Sequence, residues 1–361
     1  MSKIMDQTLE MLRELTDAPG VSGYEGEVRA VVRRYLEQVA TIEHDNLGSI
    51  IGKKAGTSER PRIMIAGHMD EIGFMVTGIT KEGFLRFQTL GGWWEQVMLA
   101  QRVVVKAQRG DVIGIIGSKP PHILSQDERK KVVEKKDMFI DVGAASEDEA
   151  RKVLGIKPGD PVIPWSPFAV MANGQAVMAK AWDDRIGCAV FIDVLRNLRN
   201  EAHPNTVYGV GTVQEEVGLR GATTSAEAVD PDVGFALEVS IAGDMPGVKE
   251  HEATDKLGAG PSILIYDGSM IPSIRLRDLV VETAEAEKIP YQFSAMPGGG
   301  TDAGRIHIHG RGVPSLVLGV PCRYIHSHAG IIRRDDYDHT VKLITAVIKR
   351  LDVKTVRSLV A

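Results

Sequence analysis

Apolar positions recur along this chain in two patterns, a three-to-four-residue spacing and short unbroken runs, and their alternation predicts an α/β protein. Leu9, Leu12 and Leu15 give "MDQTLEMLRELTDA" the spacing of an amphipathic helix. "SGYEGEVRAVVRRYLEQV" reads as a second helix, opened by Ser22 and Glu25 in capping-box spacing. After "NLGSIIGKK" comes "RIMIAGHMDEIGF", a short buried-strand pattern with His68 just beyond its end. From about Phe74 to Trp165 the texture changes to β-rich pieces, "GFMVTGIT", "GFLRFQTL", "RVVVKA", "DVIGIIG" and "DMFIDVG", split by turn residues. The polar, Lys-rich stretch near "SQDERKKVVEKKD" is expected to be a mobile loop.

Beyond that segment the α/β alternation returns. Helix "DDRIGCAVFIDVLRNLR" leads to strand "TVYGVGTV", helix "GATTSAEAV", strands "VGFALEV" and "SILIY", and helix "SIRLRDLVVETAEAEK". Strand "YQFSAM", loop "PGGGTDAG", strand "SLVLGV" and helix "DYDHTVKLITAVIKRL" complete it. This order predicts a layered sheet with helices on both faces. The expected organisation is a larger domain formed by residues 1–73 and 166–361, interrupted by a small β domain at 74–165.

Composition narrows the function classes. The chain has 361 residues, 43% hydrophobic and 25% charged, with a net charge of −5, which is ordinary globular composition. No basic excess is present and aromatic residues do not cluster with Lys and Arg, so no nucleic-acid partner is expected. Asp6, Glu10, Glu14 and Asp17 fall where a secretory signal would be apolar, and no apolar run approaches a membrane span. A cytoplasmic protein with no membrane partner is the expectation. The two cysteines, Cys188 and Cys322, imply no disulfide framework and are expected to be buried thiols.

Candidate chemistry gathers at the predicted strand ends. His68 and Asp70 stand in "GHMDE", Asp183 and Asp184 in "AWDDR", Glu215 and Glu216 in "TVQEEVG", Glu238 in "ALEVS" and His326 in "YIHSH". Adjacent side chains of a strand face opposite ways, so Glu215 and Glu216 can share a site only where the strand breaks into a loop. Imidazoles with carboxylates and no thiolate suit zinc, cobalt or manganese. Two divalent ions about 3.5–4 Å apart need a bridging carboxylate and further acids, and a general base must stand free beside the attacking water. Adjacent glutamates meet that need, one facing metal and one facing water. Strand alternation leaves either His326 or His328 as the inward residue.

The segments "IAGHMDEIGF", "AKAWDDRIG", "VQEEVGLRGA", "GGGTDAGRIH" and "RYIHSHAG" together resemble the family-42 metallo-aminopeptidases. That group includes glutamyl, leucyl and deblocking aminopeptidases and members named endoglucanases, and the resemblance runs over essentially the whole chain. It implies a zinc-exopeptidase-like mixed sheet covered by helices, an inserted β-barrel-like dimerisation domain, peptide substrates, and homo-oligomers built from dimers, often dodecamers. It also implies two divalent ions per subunit, one on His68 and Glu238, the other on Glu216 and His326, bridged by Asp183. Asp70 would hold the His68 imidazole, and Glu215 would be the general base.

Two departures stand out: Glu238 occupies a position where many relatives have Asp, and His328 one where many have Pro. Gly300, Thr301 and Asp302 are candidates for substrate binding through backbone amides at a helix start. The alternatives are a two-metal carboxypeptidase or deacylase, and a non-enzymatic, metal-stabilised assembly module. The module would not need the spare carboxylate of Glu215. A glycosidase would use two carboxylates and no histidine.

Overall fold

The structure, a computed structural model, describes residues 6–360. Its centre is an eight-stranded mixed sheet. Across the sheet the strands run Thr41–His44, Ile50–Lys54, Thr206–Thr212, Arg62–His68, Val233–Ile241, Ser315–Cys322, Ser262–Asp267 and Gln292–Met296. The four strands from Thr206–Thr212 to Ser315–Cys322 are mutually parallel, so their C-terminal ends share one edge.

These four strands are apolar on both faces, as a parallel sheet covered on both sides requires. By strand alternation Ile63, Ile65, Phe235 and Leu237 join the larger core, with the helices Gln7–Asp17, Gly26–Leu36, Trp182–Asn197 and Arg334–Arg350. Met64, Ala66, Tyr208 and Val210 face the helix Arg220–Val229 and the single turn Ala303–Ile306. The helix Trp182–Asn197 lies almost against the sheet backbone. A Cβ at Gly67 would come 2.6 Å from the Gly187 carbonyl carbon, and one at Gly187 2.1 Å from the Leu237 carbonyl oxygen. Only two glycines at that crossing let the helix start reach the strand ends.

The β-rich segment closes into a six-stranded antiparallel barrel, in the order Gly73–Ile79, Leu85–Leu90, Phe139–Asp141, Gly110–Gly117, Arg102–Ala107 and Pro161–Pro164. Phe74, Val76, Leu85, Val103, Val105, Ile116, Ile140 and Val162 fill it. The closing strand, "PVIP", is absent from the sequence-based expectation because two prolines flank a run of only two apolar residues. The three-stranded sheet of Ala169–Val170, Ala176–Ala179 and Gly330–Arg333 is likewise too short to show a period.

Two local expectations are revised. Met5, the first residue of the expected opening helix, lies outside the described residues, and the helix begins at Gln7 with Asp6 as its cap. Ser22 and Glu25 form no capping box. The second helix starts at Gly26 without a side-chain cap, and the Ser22 hydroxyl instead donates to Asp70 Oδ2 at 2.6 Å. The Lys-rich stretch contains single 3₁₀ turns at Glu128–Lys130 and Lys135–Asp137, and the Lys135 amide donates to Glu95 Oε1. Cys188 and Cys322 are buried free thiols. Among the described residues no helix is long and apolar enough to cross a membrane.

Phe191 is fully buried between this helix layer and the sheet. Phe191→Ala should therefore cost about 3–5 kcal/mol of stability, read from the midpoint of chemical denaturation.

Candidate active site

The site forms at the common C-terminal edge of the parallel strands, where open α/β sheets place ligands. Ala66 and Ala236 are register partners. His68 and Glu238 follow each of them by two residues and so occupy the same face. Glu238 Oε2 lies 3.9 Å from His68 Nε2. The strand Thr206–Thr212 ends just before the two glutamates, and Gln214 at φ 56° breaks its extended path. That break answers the alternation problem: Glu215 and Glu216 leave the strand as a loop and turn to the same space.

The loop is held by acids that grip its backbone. Asp70 Oδ1 accepts the Glu215 N–H at 3.0 Å, its Oδ2 accepts the Glu216 N–H at 3.2 Å, and Glu25 Oε1 accepts the Gln214 N–H at 3.1 Å. Asp70 was expected to orient the His68 imidazole. Its nearest contact to Nδ1 is the backbone carbonyl at 2.9 Å, while its carboxylate stands 3.6 Å away and serves Ser22 and the glutamate loop. Asp184 similarly grips backbone, accepting from the amides of His68 and Gly187 at 3.0 Å each.

Asp183 sits between the imidazoles, with Oδ1 3.0 Å from His68 Nε2 and Oδ2 3.1 Å from His326 Nε2. Glu216 Oε1 is 3.5 Å from His326 Nε2, and Glu215 Oε2 is 3.7 Å from His68 Nε2. Each Nδ1 faces a backbone carbonyl, that of Asp70 for His68 and that of Gly92 for His326 at 2.7 Å. A carbonyl can only accept, so Nδ1 carries the proton and each neutral imidazole points its Nε2 lone pair at carboxylate oxygens. Such an array is repulsive unless a proton or a cation lies within it. Glu216 Oε1, buried without a hydrogen-bond partner, makes the same demand.

The residues present therefore fit divalent cations. His68, Asp183 and Glu216 each offer a donor atom within 4.8 Å of the others, as do His68, Asp184 and Glu238. His326 lies across Asp183 from His68. His328 points elsewhere, packing against the Trp93 ring at a centroid distance of 5.2 Å, where burial lowers its pKa to about 4.

Burial and mutual repulsion shape the protonation of this cluster. Burial, with the Asp183 charge, pushes Glu216 up to about 8. Burial, with the charges of Asp302 and Glu216, raises Glu215 well above the carboxylate range. Burial opposes the charge on His326, but its bond to Asp183 and that acid's charge raise it to about 10. Asp183 is held low against its burial by its bonds to both imidazoles.

Sequence reasoning missed several parts of the site. Gly91 and Gly92, in the loop that follows barrel strand Leu85–Leu90, touch the site directly. A Cβ at Gly91 would lie 2.7 Å from Glu216 Oε2, and one at Gly92 3.1 Å from His326 Nδ1. Arg185, next to the two aspartates, is fully buried and donates to the carbonyls of Leu15, Ala18, Gly20 and Met69. It shares Glu71 with Lys180, whose pKa burial lowers to about 8. The doubled glycine of "GGWW" and the basic neighbour in "DDR" are the only signals these residues left in the sequence.

A cavity of about 300 Å³ opens over the cluster. Gly300 and Thr301 line it, whereas Asp302 stands behind, accepting a hydrogen bond from the Thr212 hydroxyl.

A cation-seeking cluster at the mouth of a parallel sheet, beside a cavity of this size, suits metal-assisted chemistry on a bound ligand in an α/β enzyme. Comparison with known proteins specifies the kind. The sequence model described as M42 glutamyl aminopeptidase matches residues 48–343, and a short one described as AMPT matches residues 6–31. The chain is 41% identical to the putative aminopeptidase FrvX of Escherichia coli, with 97% of each chain covered. It is 36% identical to the glutamyl aminopeptidase of Lactococcus lactis, covering 97% of this chain and 98% of that one.

Among solved structures, a TET aminopeptidase from Thaumarchaeota archaeon SCGC AB-539-E09 superposes with a TM-score of 0.96 at 53% identity, covering 98% of this chain and 99% of that one. The Pyrococcus horikoshii TET1 peptidase, described as assembling into a tetrahedron or a large octahedral shell, matches with a TM-score of 0.85 at 35% identity over 96% of this chain and 100% of that one. The chain belongs to the M42 aminopeptidase family. It is a hydrolase of peptide bonds, and the metal use of that family agrees with the donor set described above.

Without a cation, Glu216 at about 8 and His326 at about 10 retain protons at neutral pH. Ligation requires both to be deprotonated, so cation binding should release protons and tighten as pH rises from about 6 to 8. Calorimetry of zinc binding in buffers of differing ionisation enthalpy reads the proton release; a pH-independent affinity would contradict it.

Proposed function

We propose that this protein removes N-terminal residues from peptides with two divalent ions, zinc or cobalt first and manganese as a further candidate. The observation that carries this reading is Asp183, one carboxylate oxygen beside each imidazole Nε2. His68 and Glu238 would hold one ion and Glu216 and His326 the other, with Asp183 available to both. When bound, the ions polarise the scissile carbonyl and make water a stronger acid.

Glu215 is the general base. Its carboxylate faces the cavity beside His68 and is not needed as a ligand, and its backbone is fixed by Asp70. With divalent ions bound, their charge would favour the ionised carboxylate that a base needs. It takes a proton from the attacking water and returns it to the departing amine. Gly300 and Thr301 border the peptide's path, while Asp302 holds the start of the following turn against Thr212.

The protein acts as a homo-oligomer built from dimers, with a dodecamer as the closed form. The assemblies described for the TET1 relative support this reading. Exposed Trp94, Ile113, Ile115 and Ile123 give the barrel segment an apolar outer surface suited to subunit contacts.

Neutralising each glutamate separates the two roles. Glu215→Gln should keep both ions and lose hydrolysis by ~10²–10⁴-fold. Glu216→Gln should lower ion occupancy, with part of the turnover restored by excess ion; elemental analysis beside steady-state kinetics checks both, and the reverse pattern exchanges the assignments. Light scattering of the intact chain should show a species larger than a dimer, and a monomer would contradict the assembly.

A further inference from the structure

The part of the cavity wall that offers no metal ligand decides what the first side chain of a substrate meets. Its side chains are Leu219, Met296, Thr301 and Ile325; Val239 borders it by backbone alone, its side chain turned by strand alternation into the core with Phe235 and Leu237. Thr301 is the one polar member, and its hydroxyl is turned away to donate to Asp267 Oδ2 at 2.8 Å. The adjoining loop adds no side chain of its own. A Cβ at Gly299 would come 3.2 Å from the tip of Met296, and one at Gly300 3.0 Å from Ser269, so glycine keeps this stretch bare while Met296 and Leu219 cover it.

Charge is missing from the wall as well. Among the described residues no Lys or Arg lines the cavity, so a glutamate side chain would lose its water without gaining a cation. A lysine side chain would fare no better. The carboxylates in the cavity are Asp183, Glu215, Glu216 and Glu238, and two divalent ions carry as much positive charge as these four carry negative. An apolar side chain, by contrast, exchanges water for Leu, Met and Ile surface.

We infer that this site selects peptides whose N-terminal residue is uncharged and apolar, of the size of Leu or Met. Leu219, Met296 and Ile325 are the specificity-determining side chains. This inference rests on the aminopeptidase reading and departs from the glutamyl specificity in the family's description.

The full chain, loaded with zinc or cobalt, should hydrolyse Leu- and Met-p-nitroanilide with kcat/KM at least about tenfold above the Glu and Lys anilides. A smaller margin overturns the inference. Met296→Lys places a cation at the wall and should narrow the Leu-to-Glu ratio by about tenfold or more, whereas Met296→Leu should keep the original ranking. A Met296→Lys variant that lowers every substrate alike would remove Met296 from the pocket and overturn the assignment. Calorimetry with free Leu, Glu and Lys tests the wall without turnover. Preferential Leu binding in a protein that cleaves no anilide would uphold the pocket while failing the aminopeptidase reading; equal binding of all three would overturn the pocket.

Discussion

The structure around the active edge depends on one electrostatic constraint: acids and two imidazoles share a space from which water is largely excluded, and their charges need neutralising there. In a low-dielectric interior an unpaired carboxylate costs several kcal/mol or takes up a proton, and the raised pKa values of Glu215, Glu216 and Glu238 express that cost. Divalent cations relieve it, and the position of Asp183 between His68 and His326 suits that solution. The same constraint accounts for the other acids. Asp70, Glu25 and Asp184 are buried, and each accepts backbone N–H groups. They stiffen the loops that carry the ligands.

Beneath this layer lies a second electrostatic unit. Arg185 and Lys180 converge on Glu71, and Arg185 also ties together the carbonyls that link the first helix to the strand after His68. Truncating either cation would leave Glu71 short of charge in a dry site, the circumstance in which buried ion pairs are hardest to break. The floor of the site is therefore held by charge and its walls by apolar packing. That contrast gives the cavity both a fixed arrangement of donor atoms and an uncharged, apolar stretch of wall.

The barrel is part of the same arrangement. Its Gly91–Gly92 loop approaches so closely that a methyl group would intrude on Glu216, and the Gly92 carbonyl sets the tautomer of His326. Trp93 anchors the loop, stacking on Phe74 at 4.7 Å and donating its indole N–H to the Gly73 carbonyl. A segment that exposes Trp94, Ile113, Ile115 and Ile123 on its outer surface thus also shapes one end of the site.

The sequence by itself determined the elements and the chemical inventory. Short continuous apolar runs such as "VYGVG" and "FALEV" read as strands buried on both faces, and the longer amphipathic runs between them as covering helices. His68, Asp183, Glu215, Glu216, Glu238 and His326 were legible because each interrupts or ends such a run. The prolines of the barrel's closing strand, the failed capping box at Ser22 and the buried state of Arg185 were not legible, since each depends on a partner distant in sequence. Residue pattern alone left His326 and His328 open and the family resemblance favoured His326; the tertiary structure separates their surroundings, because two residues of equal chemistry and equal strand parity differ only in what lies opposite them. Across from His326 stand Asp183 and the Gly92 carbonyl; across from His328 stands Trp93. The left-handed turn at Gln214, which aims both glutamates at one space, is likewise settled by the Asp70 and Glu25 carboxylates that receive its amides. Pattern reports how a residue sits on its own strand, and the function of these residues depends on what other strands bring to meet them.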